Sequence, residues 1–122
     1  MVVSLVVGLV IGAGGVGAAW LLRGDDSAPA EGGAAGDARA ACQALDGFDE
    51  SKYTQKGAAG EIALNRYAAA GALSASAAAA DATYKPLAEA IRRSQLRHAR
   101  VFEFDATAKG DLDKARKLCG DL

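Results

Sequence analysis

The chain has 122 residues, a formal net charge of −1 and an aromatic content of 6%. A net charge this small, with acids and bases interspersed, gives no electrostatic case for binding nucleic acid. Roughly a quarter of the residues are alanine, which loses no side-chain entropy in a helix, while strand-favouring aromatic side chains are scarce, so the expected fold class is all-α. The abundance of Ala and Gly also fits the codon bias of a GC-rich bacterial genome.

The first element in chain order is apolar. Residues 2–22 carry no charge, and only Ser4 and the Trp20 indole are polar. As a helix, residues 1–22 would be about 33 Å long against a hydrocarbon thickness of about 30 Å. The expectation is a single-pass transmembrane anchor over residues 1–23, integral to the cell membrane, with Trp20 near an interface and Arg23, Asp25 and Asp26 marking the exit into water. The alternative, a signal peptide cleaved near Ala30, draws on an Ala28-Pro29-Ala30 site but lacks a basic residue before the apolar run. Gly8 and Gly12 form one G-x-x-x-G and suggest a homodimer contact. Gly12, Gly14 and Gly17 formally match a dinucleotide fingerprint, but inside an apolar run with no βαβ unit around them they predict no cofactor.

Residues 24–37 are Gly, small and acidic, the composition of a flexible tether. Residues 38–122 are left for one small soluble domain. Asp37 is expected to cap a short helix through Leu45, with Gly47 at its exit. Residues 58–82 are nearly all helix formers, with Ile62, Ala69, Leu73, Ser76 and Ala80 on one stripe and Gly71 as the weak point. A second long helix is expected from Thr83 to about Ala108, with Pro86 in its first turn. Tyr84, Leu87, Ile91, His98 and Phe102 share one side of it, and Arg92, Arg93, Arg97 and Arg100 gather on the other. Gly110 ends that helix, Asp111 caps the last one, and Leu112, Ala115 and Leu118 form its buried side. The predicted architecture is an N-terminal transmembrane helix plus a bundle of two long antiparallel helices flanked by short ones.

Cys42 and Cys119 fall on the first and last helices of the domain, where up-down packing can bring them together as a disulfide. Such a bridge belongs to an oxidising compartment and favours an extracytoplasmic domain, whereas Arg23 alone, by the positive-inside rule, favours the cytoplasm. Neither cysteine sits in a C-x-x-C motif, so redox catalysis and haem attachment are not expected. His98 is the only histidine and has no neighbouring ligands at metal-binding spacing, so no metal is expected. Arg92, Arg93, Arg97 and Arg100 offer a basic surface for phosphates or lipid head groups, weakened by Glu89 and Glu103 at pairing distance in sequence. No nucleophile, base and orienting group can be assigned together. The expected function is therefore non-catalytic: a membrane-anchored helical domain presented outside the cytoplasm for binding, scaffolding or as an accessory subunit of an unknown protein partner. The alternatives are a cytoplasmic-facing regulatory or lipid-surface module and a secreted helical protein.

Overall fold

The computed structural model describes residues 33–122. They form four α-helices: α1 (Gly33–Asp46), α2 (Ala58–Ala80), α3 (Lys85–Val101) and α4 (Ala106–Gly120). Two 3-10 turns, Glu50–Lys52 and Ala82–Tyr84, lie before α2 and before α3.

The expected transmembrane helix requires a correction. No helix among the described residues is long and apolar enough to cross a membrane. Residues 1–22, Gly8 and Gly12 among them, and the site at Ala30 lie outside those residues. The fold is an all-helical bundle with no spanning element in its described part.

The bundle itself differs from the expected hairpin with short flanks. At 14 and 15 residues, α1 and α4 approach the 17 of α3, and only α2 is long, at 23. Each helix packs on the next in sequence, most extensively α1 on α2 and α3 on α4, while α1 and α4 meet over a much shorter stretch. α1 begins at Gly33, so Asp37 lies inside it rather than at its N-cap, and the last residues expected in the tether are helical.

α2 is rotated by one residue from the stripe expected for it. The buried positions are Gly60, Ala63, Tyr67, Ala70, Ser74 and Ala77, which leaves Ile62 53% exposed. The reason is Tyr67, the largest side chain of the helix: turning its ring inward buries more apolar area than turning Ile62 inward. Gly60 is required at its place because a Cβ there would collide with the carbonyl of Gln55. Gly71, which the sequence marks as a weak point, instead makes room for the side chain of Gln95, whose Nε2–H donates to the Tyr67 carbonyl at 2.9 Å and ties α3 to α2.

The boundary between α3 and α4 also moves. α3 stops at Val101, and Phe102 follows in the left-handed region at φ 58°, its N–H donating to the His98 carbonyl at 2.7 Å. Asp105 then caps α4, its Oδ1 accepting from the Ala108 N–H at 3.0 Å. Gly110 and Asp111 therefore lie inside α4. A glycine normally marks such a stop; here phenylalanine takes that place, and the sequence reads as unbroken helix.

The core is fine-grained. Eight of its fourteen buried apolar residues are alanines, with Leu45, Phe48, Tyr67, Leu87, Ile91 and Leu112 as the large members. Alanine lets helices approach closely but removes little apolar surface from water, so hydrophobic stabilisation per residue is low. The Cys42–Cys119 disulfide compensates by joining α1 to α4 with the two Cα atoms 5.6 Å apart across 77 positions. In the chain-entropy description, closing a loop of that length stabilises the fold by about 4 kcal/mol. Replacing both cysteines by alanine is expected to lower the unfolding free energy by about that amount in urea denaturation; an unchanged midpoint would contradict this account of the bridge.

Candidate functional site

Aromatic residues are few, and most of those in the domain gather in one cluster, with Tyr84, in the turn before α3, standing apart from it. Phe48 stacks on Tyr67 with ring centres 4.8 Å apart and planes 4° from parallel. Tyr53 meets Tyr67 edge-on at 5.8 Å, Phe104 lies 5.3 Å from Tyr67, and His98 lies 4.3 Å from Phe104 and 4.7 Å from Tyr53. These five rings come from the segment after α1, from α2, from α3 and from the α3–α4 turn, so one cluster fastens both of those connections. Phe48, Tyr53, Tyr67 and Phe104 were not singled out as a group by the sequence, because they share no helical spacing. Their only signal is scarcity: in a chain this poor in aromatic residues, each is a candidate for the core.

Tyr67 is 4% exposed, and its hydroxyl shares a hydrogen bond of 2.6 Å with the Oγ of buried Ser94. Burial disfavours the phenolate and outweighs the help from Ser94, pushing the Tyr67 pKa up to about 12. A second polar link joins α4 to the loop after α1: Arg116 donates to Glu50 Oε1 at 2.8 Å and to the Phe48 carbonyl at 3.1 Å. Among the described residues, no buried side-chain polar atom lacks a hydrogen-bond partner.

Next to the ring cluster, a cleft of about 350 Å³ opens between the segment after α1 and the α3–α4 turn. His98 and Phe104 line its inner part, and Phe102, Asp49, Glu103 and Lys109 line its rim. Asp49 accepts from the Ser51 N–H at 2.9 Å and from its hydroxyl at 2.7 Å, and these bonds hold its carboxyl below the usual range. Lining the cleft with His98 and Phe102 corrects the side of α3 expected to be buried. Leu87 and Ile91 are in the core and Tyr84 and His98 are half-buried, but Phe102 is 82% exposed.

The sequence-predicted residues fare unequally. Cys42 and Cys119 are bonded to each other. The four arginines do not make one free basic face. Arg97 donates from Nε and Nη2 to Asp105 Oδ2 at 2.7 and 2.6 Å, which holds the Asp105 carboxyl low and raises the guanidinium pKa. Arg93 stands 3.9 Å from Glu89 on the exposed surface, a spacing of little energetic weight. Arg92 and Arg100 make no ion pair among the described residues. The pairing expected between Glu103 and Arg100 does not form among the described residues, because α3 ends before Glu103; the turn instead brings Asp105 back to Arg97. Among the described residues, no three His, Cys, Asp or Glu side chains are grouped to hold a metal ion.

Fold and site together define a small disulfide-closed four-helix domain with an aromatic cluster. No protein-family model, curated protein or solved structure matches the chain.

Two measurements probe the buried pair in this cluster. Tyr67→Phe is expected to cost about 1–2 kcal/mol by stranding the Ser94 hydroxyl, and Tyr67→Phe with Ser94→Ala less than the sum of the single changes, in a double-mutant denaturation cycle. The Tyr67 pKa is raised above the ordinary phenol value, so the neutral form favours the fold. That contribution is complete below about pH 10 and is lost as the pH rises through about 12. The difference in tyrosinate absorbance between wild type and Tyr67→Phe should therefore show a step near the upper value rather than the lower.

Proposed function

We propose that this helical domain works in an oxidising compartment, outside the cytoplasm, as a non-catalytic binding or accessory module. The observation that carries the reading is the bond between Cys42 and Cys119, which closes nearly the whole described domain. Cytoplasmic thiol systems keep such pairs reduced, whereas secreted and surface domains with small cores depend on them.

The use of polar side chains supports binding rather than catalysis. Arg97 with Asp105, Arg116 with Glu50 and Tyr67 with Ser94 are pairs that fasten helices and turns to one another. His98, the residue best suited to proton transfer, packs against Tyr53 and Phe104 and makes no side-chain hydrogen bond to a carboxylate among the described residues. A lipid-surface role for Arg92, Arg93, Arg97 and Arg100 loses support, since Arg97 is committed to Asp105.

Thiol labelling of intact cells tests the compartment. A membrane-impermeant maleimide is expected to leave Cys42 and Cys119 unmodified until an impermeant reductant is added, and to modify both afterwards. Labelling that needs lysis but no reductant would contradict the reading.

A further inference from the structure

Phe102 is costly to the fold in two ways. It adopts φ 58°, a conformation that bulky residues avoid, and it leaves its ring 82% exposed while adding nothing to the core. Glycine would remove both costs at this helix end. The ring does, however, stand at the rim of the cleft whose inner wall is His98 and Phe104.

The charges of that rim select what can enter. Asp49, Glu50 and Glu103 face it from the carboxylate side and Lys109 from the basic side. Glu50 is paired with Arg116 at 2.8 Å, which leaves Asp49 and Glu103 facing Lys109 on the rim, with Lys52 also acting on Asp49, so no unpaired cluster of cations is available to hold an anionic ligand. A small hydrated metal ion would gain nothing from the rings. A cation with an apolar shell gains from both the aromatic side chains that line the cleft and the carboxylates. The cleft, at about 350 Å³, has room for a small molecule of that kind.

We propose that the cleft between Asp49 and the α3–α4 turn binds a small organic cation of the methylated-ammonium class, with Phe102 as its outer wall and Glu103 and Asp49 as its counter-charges. The inference rests on the binding role proposed above by naming a ligand class for it, yet it is tested separately, because thiol labelling reports the compartment and the titration below reports the cleft.

The experiment titrates the full chain, disulfide intact, with choline and with the uncharged isostere in which carbon replaces the ammonium nitrogen, following ring resonances by NMR. Saturable shifts of Phe102, Phe104 and His98 are expected with choline, with the isostere weaker by about fivefold or more. Phe102→Gly is expected to abolish saturation while raising Tm, and Glu103→Gln to weaken choline without changing the isostere. The proposal is overturned if choline does not saturate, if the isostere binds as well, or if Phe102→Gly binds like wild type. A lower Tm in Phe102→Gly overturns it too, since the ring would then be serving the fold.

Discussion

Cys42 and Cys119 stand at opposite ends of the described domain in sequence and are bonded in space, joining two helices that otherwise share only a short contact. α1 is held chiefly by α2, and α4 chiefly by α3, so without the bridge the bundle is a chain of pairwise packings open at one seam. Closing that seam matters because the core is built mostly of alanine. Close approach of helices yields dispersion contacts and good packing density, but each buried alanine removes little apolar area from water. The covalent link acts instead on the unfolded chain, restricting the conformations that folding must give up.

A second cluster, adjoining the bridge, solves the same problem differently. Phe48, Tyr53, Tyr67, His98 and Phe104 gather there from four separate segments, and the hydroxyl of Tyr67 is matched to Ser94 so that its burial leaves no polar group without a partner. Arg116 binds the loop after α1 from α4, and Arg97 binds the residue that caps α4. Stability is thus concentrated in a disulfide seam and a neighbouring ring cluster, which Arg116, one helical turn before Cys119, links through the Phe48 carbonyl. The cleft beside the α3–α4 turn adjoins the ring cluster, where rigid side chains can define a shape without a large core.

Much of this was legible in the residues. Alanine content gave the helical class, Pro86 lies in the first turn of α3, Leu112 and Ala115 are buried, and Cys42 and Cys119 pair as their placement on the outer helices suggested. What misled was consistently a residue doing an unusual task. Tyr67 overrode Ile62 in setting the rotation of α2, because one aromatic ring outweighs a branched aliphatic among alanines. Phe102 stands where a glycine would announce the end of α3, so the residues alone do not mark Asp105 as a cap and leave Arg97 on the apparent basic face. The transmembrane expectation over residues 1–22 finds no counterpart in the described residues, where no helix has the length and apolarity to span. The ring cluster as a group is not legible, since its members come from two connections and from two different helices rather than from one periodic stripe.

Hydrogen exchange of the oxidised and the reduced chain, read segment by segment, tests most directly the claim that the Cys42–Cys119 bond holds this alanine-built bundle closed. Reduction is expected to lower protection through α1 and α4, the two helices that the bond joins, and to reduce the protection of the most slowly exchanging core amides as well. Protection that is the same in both states throughout α1 and α4 would contradict that claim, and would place the stability of the domain in its helix packing and ring cluster alone.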